Sequence, residues 1–290
     1  MSNSNPLVSV VIPCYNHENF VQDSIQSVID QDYENIELII IDDGSQDGSV
    51  IKIQKMVESC KERFIRFEFR SRANVGLSAT LNEALEWCEG KYFSPIASDD
   101  QMLNYKTSMQ VKYLEKHNGS VAVFGAVQLI DENDQKLEKI ASKARSYSFE
   151  DIIMHRHNLL APTQMIRKKT IKDVGGYNAN LFIEDWYMWL LLSREGEIFS
   201  MNETFALYRQ HDSNISKNLK RMRKGRLEIL EIFKDHDLYE KAIRNLHWVE
   251  DFELFSNHKN IKNLLNLSCR HPLRFIKVSF KKLSKVSSIK

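Results

Sequence analysis

The chain has 290 residues, enough for one large domain or for one domain with a small appendage, and its 42% hydrophobic and 27% charged residues are ordinary for a soluble globular protein. The net charge of +1 is unevenly distributed, because residues 216–290 contain 18 Lys and Arg against 8 Asp and Glu, whereas residues 1–215 contain 22 against 31. This asymmetry predicts an acidic domain over 1–215 and a basic extension over 216–290.

Several features argue against export and against membrane insertion. The amino terminus lacks the basic segment and long apolar core of a secretory signal, and the longest apolar run, 186–192, is too short to span a bilayer. The four cysteines are far apart and form no CxxC pair, which disfavours a zinc site or a disulfide framework and fits a reducing compartment. The sequence therefore predicts a cytoplasmic protein, soluble or peripheral on the inner face of the cell membrane.

The first hundred residues alternate short β-branched runs with amphipathic segments. The runs predict strands, and the segments between them predict helices with one apolar face. In chain order the expected elements are a strand at 8–12, a helix at 19–30, a strand at 36–41, a helix at 47–57 capped by Asp47, a strand at 64–69, a helix at 77–88 and a strand at 92–96. This order predicts an α/β fold with a mostly parallel sheet flanked by helices.

The pattern is less regular in the second half of the chain. Here the sequence predicts a strand at 121–128, an aromatic helix at 186–194 directly after Glu184-Asp185, and a wholly helical segment beyond residue 216. The chain contains no internal repeat and no low-complexity segment.

Polar clusters follow three of the predicted strands: Tyr15-Asn16, Asp42-Asp43 and Asp99-Asp100. Ligands of parallel α/β sheets bind beyond the carboxyl ends of the strands, so these clusters are the first candidates for a site. Two adjacent carboxylates that both stay ionised usually hold a cation between themselves and a ligand, whereas taken alone each acidic pair is more typical of a solvated turn.

The motifs taken together resemble the family-2 glycosyltransferases with the GT-A fold. The resemblance covers about residues 7–215 and rests on the order and spacing of PCYN, DDGS, NVGLSATLN, SDD, ED and YRQHDSNIS. It implies a GT-A-type α/β catalytic domain, here followed by a helical C-terminal extension, and an inverting transfer of a sugar from a nucleotide diphosphate sugar. A UDP-sugar is the expected donor and Mn²⁺ or Mg²⁺ the expected cofactor.

The resemblance also implies roles for the residues that contact the donor. The first nucleotide-contacting loop matches Pro13, Tyr15 and Asn16, the carboxylate that holds the base matches Asp43, and the loop beside the nucleotide matches Asn74 and Gly76. One departure is visible, because Leu81 stands where many relatives carry an arginine. Donor recognition from that predicted helix is therefore expected to differ.

The remaining matches concern the metal and the chemical step. Asp100 matches the metal-binding acid, Asp99 matches the acid near the donor's ribose or sugar, and His211 lies where a histidine can approach the metal or the diphosphate. Asp185 matches the catalytic base, with Glu184 and Trp186 as weaker candidates for contact with the acceptor. Each has a simpler structural reading: acids that stabilise a helix N-terminus, a histidine in a surface turn, and a core tryptophan.

The mechanism implied by the resemblance is a direct displacement at the anomeric carbon. The metal stabilises charge on the departing diphosphate, and Asp185 removes the proton of the acceptor hydroxyl as it attacks. One base and one attack invert the anomeric configuration. The expected acceptor is a glycan or a lipid-linked oligosaccharide of surface polysaccharide synthesis.

The basic extension predicts a further surface. Residues 217–226 and 271–290 each contain six basic and no acidic residues, and Leu273, Ile276, Phe280 and Leu283 share one helical face. This pattern is typical of a helix on an anionic membrane, although a helix packed on the catalytic domain would also have it. Nucleic acid is not an expected partner, because no nucleic-acid-binding motif accompanies the charge.

Two other functions remain as alternatives, a nucleotidyltransferase and a non-catalytic subunit, and a third is disfavoured. A nucleotidyltransferase shares the sheet and the paired acids but usually has a glycine-rich phosphate loop after the first strand, where this chain has PCYNHEN. A dinucleotide oxidoreductase is disfavoured because no GxGxxG occurs. A non-catalytic sugar-nucleotide-binding subunit would use the same donor loops, but the intact Asp185 argues against it.

Overall fold

The computed structural model describes residues 5–212, 214, 217–258 and 268, and within 253–258 it describes the backbone alone. The described residues form two compact units. One unit consists of residues 5–152 and 156–219, and the other consists of residues 153–155 together with 220–258. All the candidate site residues lie in the first unit.

Four parallel strands, in the spatial order β3-β2-β1-β4, form the first half of a sheet. They span Val8–Cys14 (β1), Ile36–Asp42 (β2), Arg66–Ser71 (β3) and Tyr92–Pro95 (β4). Every residue of β2 is buried, as expected for an apolar strand covered on both faces. β1 continues through Pro13 because β4 ends opposite Val11, so no strand on that side requires the N–H that proline lacks.

Helices cover both faces of these strands. They span Val21–Ile29 (α1), Ser49–Gln54 (α2), Val57–Arg63 (α3) and Leu77–Trp87 (α4). Alternate residues of β1, including Val8 and Val10, pack with α1 in one core cluster, while α4 contacts β1 and β2 without contributing to that cluster. The helix predicted over 47–57 is divided into α2 and α3, but Asp47 does accept the N–H of Ser49, the first residue of α2, at 2.9 Å.

Beyond β4 the sheet is mixed. Its later strands are Gln101–Met102 (β5), Ser120–Ile130 (β6), Lys136–Ile140 (β7), Arg145–Tyr147 (β8), Met165–Arg167 (β9) and Glu197–Arg209 (β10). The spatial order is β3-β2-β1-β4-β9-β6-β10-β5, with β7 on β6 and β8 on β10. β9 runs antiparallel to both β4 and β6, whereas β6 and β10 are parallel. The α/β sheet predicted from the sequence is therefore parallel in its first half and mixed in its second.

The helices of this half are Lys106–Lys116 (α5), Phe149–Ile153 (α6), Lys168–Asp173 (α7) and Glu184–Glu195 (α8). The carboxyl-terminal part of the described chain is helical, as predicted, with helices Leu219–Ile232 (α9) and Tyr239–His258 (α10). None of the described helices combines the length and the apolar character needed to cross a bilayer. The predicted membrane-surface helix at 271–290 lies outside the described residues.

Candidate functional site

The loops that follow β1, β2 and β4 lie side by side, because β1 pairs with β2 on one side and with β4 on the other. Asn16 connects the first two loops: its N–H donates to Ser45 Oγ at 2.9 Å, and its Oδ1 accepts the N–H of Gln46 at 2.8 Å. A 2.8 Å hydrogen bond between His17 Nδ1 and Ser98 Oγ connects the first loop to the third. The structure therefore gathers the three predicted polar clusters at one edge of the sheet.

Asp43 is the buried centre of the second loop. Its carboxylate accepts the N–H groups of Val75 at 2.8 Å and Gly76 at 2.9 Å, and it also accepts a hydrogen bond from the guanidinium of Arg72. The amide of Asn74 donates to the carbonyl oxygen of Asp43 at 2.8 Å. The predicted base-binding residue and the predicted loop beside the nucleotide are thus joined directly.

Arg72 contacts this candidate site, although the sequence pattern did not indicate it. Besides Asp43, its guanidinium donates to Thr80 Oγ1 at 2.9 Å and to Glu83 at 2.8 Å, which fixes it against α4. Leu81, which stands where relatives carry an arginine, is buried. This edge of the sheet therefore also carries Arg72, which directly follows β3, and a signal for it was its place two residues before Asn74.

The other predicted donor residues differ in their exposure. Tyr15 is 47% exposed directly after β1, so its ring is accessible to a planar ligand, whereas Pro13 is part of β1 and pairs with Ile41 of β2. Gly44 has a φ of +77°, and a Cβ added there would lie 2.7 Å from the backbone nitrogen of Asn74. The loops of Asp43 and Asn74 can approach this closely only because residue 44 is glycine.

Asp99 lies between two histidines. Its Oδ2 is 2.9 Å from Nε2 of His211 and 3.7 Å from Nε2 of His17, and one potential ligand atom from each of the three residues lies within 4.8 Å of the others. Phe20 stacks on His211 at a centroid distance of 5.1 Å. Among the described residues this is the group of His, Cys, Asp and Glu side chains arranged to hold a metal ion, and its donor atoms suit a divalent metal.

Asp99 and Asp100 have pKa values that are shifted in opposite directions. Burial alone would raise the pKa of Asp99, but the hydrogen bond with His211 and the nearby His17 outweigh it and hold the pKa below its ordinary value. Burial, followed by the negative charge of Asp99, raises the pKa of Asp100 well above its ordinary value. Burial also lowers the pKa of His17, which favours its neutral form.

Asp100 bonds the backbone of Arg209. Its carboxylate is buried and accepts the N–H of Arg209 at 2.9 Å, and the Arg209 guanidinium donates to the carbonyl oxygen of Asp99 at 2.9 Å. The resemblance implies that Asp100 binds the metal and that Asp99 lies near the donor, whereas the group of potential ligand atoms contains Asp99 together with His17 and His211. The assignment of the metal to Asp100 therefore stays a prediction, whereas Asp99 is the member of the pair that lies in the group of potential ligand atoms.

Glu184 and Asp185 form the first turn of α8. Asp185 Oδ1 accepts the N–H of Trp186 at 2.6 Å, while burial and the charge of Asp185 raise the pKa of Glu184 to about 8. Trp186 is 3% exposed and its indole N–H donates to the carbonyl oxygen of Ile152 at 3.1 Å. The predicted acceptor contact of Trp186 is corrected, because the indole is enclosed in the core.

The segment that leads to the Glu184-Asp185 pair is attached to α4, the helix that begins after Gly76. The side chain of Asn82 bonds the backbone N–H and carbonyl oxygen of Tyr177 at 2.8 and 2.7 Å, and Ser78 Oγ donates to the carbonyl oxygen of Leu181 at 3.3 Å. The Tyr177 hydroxyl is buried without a hydrogen-bond partner in the described part of the chain. Burial, Glu184 and Asp185 raise its pKa.

Comparison with known proteins identifies similar chains. The family model for glycosyl transferase family 2 matches residues 9–175. TuaG of Bacillus subtilis (strain 168), a glycosyltransferase assigned to teichuronic acid biosynthesis, is 30% identical over 220 residues, which cover 75% of this chain and 84% of TuaG. WfgD of Escherichia coli, a UDP-Glc:alpha-D-GlcNAc-diphosphoundecaprenol beta-1,3-glucosyltransferase, is 26% identical over 234 residues, 80% and 88% of the two chains. A Rickettsia typhi glycosyltransferase is 28% identical over 221 residues, which cover 72% of this chain but 65% of that longer protein.

Solved structures have the same fold. The 1–349 fragment of S. aureus TarS with UDP-GlcNAc matches at a TM-score of 0.64 and 17% identity, covering 91% of this chain and 79% of that one. The mannosyltransferase PcManGT of Pyrobaculum calidifontis with GDP-Man and Mn²⁺ matches at a TM-score of 0.67 and 12% identity, covering 93% and 81%. The GT-A-type α/β fold expected from the sequence is confirmed.

Proposed function

The chain belongs to glycosyl transferase family 2, and from this premise we propose that it transfers a sugar with inversion from a UDP-sugar to an acceptor hydroxyl. The family that the motifs indicated is thereby confirmed. One observation carries the finer proposal: the loops after β2 and β4 bring Asp43 and Asp99 to one edge of the sheet, and His211, which follows β10, bonds Asp99 there.

The hydrogen bonds of Asp43 support uracil as the base. A carboxylate has about four acceptor positions, and the carboxylate of Asp43 already accepts from Arg72, Val75 and Gly76. About one position remains, which matches the single ring N–H of uracil. Guanine presents two neighbouring N–H donors and would leave one without a partner, at a cost of about 1–3 kcal/mol. The UDP ligands of TarS and WfgD agree with this preference, whereas PcManGT binds GDP-Man.

Asp99 and His211 would hold the divalent metal, Mn²⁺ or Mg²⁺. When bound there, the ion would supply positive charge to the diphosphate of the donor. Arg209 holds both acids of the Asp99-Asp100 pair. Its guanidinium donates to the Asp99 carbonyl oxygen, and its backbone N–H donates to the Asp100 carboxylate. Arg209 thereby holds the backbone of Asp99, and the hydrogen bond with His211 holds its carboxylate.

Asp185 is the residue we assign as general base. Its carboxylate accepts an N–H of the first turn of α8, a position where a helix favours negative charge. Glu184, with a pKa of about 8, keeps its proton at neutral pH and so is unsuited to accept another. In this assignment the acceptor hydroxyl loses its proton to Asp185 as its oxygen attacks the anomeric carbon, and the nucleoside diphosphate departs from the opposite side.

The acceptor we propose is a surface polysaccharide or a lipid-linked oligosaccharide. TuaG is named for teichuronic acid biosynthesis, and WfgD for a diphosphoundecaprenol-linked acceptor. Residues 271–290, which are basic, would bring the enzyme to the inner face of the cell membrane, where such an acceptor is anchored. Family membership removes the support for a nucleotidyltransferase, and a subunit that binds the donor without transfer remains the alternative.

A donor panel tests the proposal. Purified chain is incubated with UDP-Glc, UDP-GlcNAc, UDP-Gal or GDP-Man, each with Mn²⁺, with Mg²⁺ or with EDTA, and release of the nucleoside diphosphate is measured. We expect metal-dependent release from at least one UDP-sugar, and loss of release in Asp185→Asn with retained UDP binding. Thermal stabilisation by UDP without release from any donor would instead favour the non-catalytic subunit. Release from GDP-Man alone would contradict the assignment of uracil as the base of the donor.

A further inference from the structure

We propose that His17 is a third protein ligand of the metal, which makes the site a cluster of two imidazoles and one carboxylate. The proposal rests on the function proposed above, because it concerns the ion that Asp99 and His211 would hold. Neither the motifs nor the comparisons assign a role to His17, which directly follows PCYN in the first loop.

The separations of the three side chains fit one common ion. Bonds of about 2.0–2.2 Å to a shared metal place two neighbouring ligand atoms about 3–3.6 Å apart. Asp99 Oδ2 is 2.9 Å from His211 Nε2 and 3.7 Å from His17 Nε2. The potential ligand atoms of all three lie within 4.8 Å of one another, so small side-chain rotations suffice to close the set around an ion.

The ring of His17 is also oriented as a ligand. A metal-bound histidine usually bonds a second group through its other nitrogen, and Nδ1 of His17 bonds Ser98 Oγ at 2.8 Å. With the proton on Nδ1, Nε2 turns its lone pair towards Asp99. The 3.7 Å separation is too long for a hydrogen bond between Nε2 and Asp99, so direct bonding does not account for the orientation.

The surroundings restrict movement of the ring. The N–H of His17 donates to Ser49 Oγ at 2.9 Å, and the His17 ring meets the edges of Phe20 and His211 at centroid distances of 6.1 and 5.7 Å. A ring held by Ser98 and by two aromatic neighbours, on a backbone held by Ser49, is positioned before the ion binds, which reduces the entropy lost on binding.

The proposed ligand set has a consequence for metal selectivity. Imidazole nitrogen favours transition metals, whereas Mg²⁺ prefers carboxylate, phosphate and water oxygens. Two imidazoles should therefore make the site prefer Co²⁺ and Mn²⁺ to Mg²⁺. Removal of His17 should weaken Co²⁺ binding more than Mg²⁺ binding. The ratio of the Co²⁺ affinity to the Mg²⁺ affinity should therefore decrease.

Metal binding to the full chain tests the proposal independently of transfer. Co²⁺, Mn²⁺ and Mg²⁺ are titrated into metal-free protein by calorimetry, without nucleotide and again with UDP. Bound Mn²⁺ is also examined by electron spin echo modulation, which detects directly coordinated nitrogen. The variant is His17→Gln and its matched control is His117→Gln, because His117 is an exposed histidine that bonds the Tyr113 carbonyl oxygen at 2.8 Å.

We expect His17→Gln to weaken Co²⁺ binding by at least about tenfold, the lower limit for loss of even an outer partner of a metal site. It should also remove one nitrogen from the Mn²⁺ signal, while His117→Gln changes neither result. Unchanged affinity and an unchanged nitrogen signal in His17→Gln would overturn the proposal, as would a wild-type chain that binds none of the ions with or without UDP.

Two further variants test the proposal if His17→Gln does not fold. His17→Cys should bind Cd²⁺ more tightly than wild type and Co²⁺ more weakly, an exchange of preference that a purely structural histidine would not produce. Ser98→Ala should weaken Co²⁺ binding by about 10–100-fold through lost orientation of the ring. If metal binding behaves as expected but no donor is turned over, the proposed function fails and the ligand assignment stands. If transfer occurs and metal binding does not depend on His17, the ligand assignment fails and the proposed function stands.

Discussion

Glu184 provides a prediction about pH and stability. Its pKa is about 8 in the folded chain, against an ordinary value of 4.5. Between these values the folded chain keeps the proton and the unfolded chain has lost it, so the free energy of unfolding decreases as pH rises. The contribution is fully present below about pH 4.5 and is lost as pH rises through about 8. Glu184→Gln, an uncharged copy of the protonated acid, should remove this dependence.

The difference between the two pKa values sets the size of the effect. It corresponds to at most about 5 kcal/mol in the free energy of unfolding, at 1.36 kcal/mol for each pH unit. The Glu184 side chain keeps partial contact with solvent and titrates together with Asp185, and both reduce the figure. We therefore expect the free energy of unfolding of Glu184→Gln to exceed that of wild type by about 2 kcal/mol at pH 9 and by less than about 0.5 kcal/mol at pH 5.

Urea denaturation at pH 5, 7 and 9 measures the difference. With a dependence of about 2–3 kcal/mol per molar urea, the midpoint of Glu184→Gln should lie roughly 0.7–1 M above that of wild type at pH 9. Glu195→Gln is the control, because Glu195 is an exposed acid at the other end of α8. Parallel pH profiles for wild type and Glu184→Gln would refute the assignment of a protonated Glu184.

Four further predictions concern the proposed general base, donor binding, the metal and the membrane. Asp185→Asn should lower kcat by about 10²–10⁴-fold with donor affinity nearly unchanged, measured by steady-state kinetics; retention of more than a tenth of kcat would require another base. Asp43→Ala should weaken UDP binding in calorimetry by at least about tenfold, because a charged hydrogen bond is worth about 1.5–3 kcal/mol, and equal binding would exclude a base contact. Asp99→Asn should remove most Mn²⁺ affinity while Asp100→Asn, which keeps an acceptor for Arg209, should not; the opposite order would restore the assignment made from the sequence. Deletion of 271–290 should weaken sedimentation with anionic vesicles while turnover of a short soluble acceptor persists, and equal sedimentation would contradict a membrane role.

The sequence predicted the part of the site that depends on buried strands and on the loops at their carboxyl ends. β1, β2 and β4 are apolar runs whose ends are marked by polar residues, so the meeting of Asn16, Asp43 and Asp99 at one edge could be foreseen. The antiparallel strands β5 and β9 could not be foreseen, because they have two and three residues, too few for a period-two pattern. Those strands exist because longer neighbours provide hydrogen-bond partners for them.

The sequence also could not decide which member of an acidic pair is available for function. The choice between Asp99 and Asp100 depends on the N–H and guanidinium of Arg209, more than one hundred positions away in the chain. His17 and Arg72 were missed for a similar reason, since each becomes a site residue only through contacts with a distant loop.

The two acidic pairs have a common organisation. In each pair burial and the neighbour's negative charge raise the pKa of one member, Asp100 or Glu184, which favours the protonated form of that member. The other member, Asp99 or Asp185, bonds a group that favours the ionised form: a histidine in one case and the N–H of a helix terminus in the other. The member bonded to such a group is the first acid in one pair and the second in the other, so its position within a motif does not identify it, and the hydrogen-bond partners do.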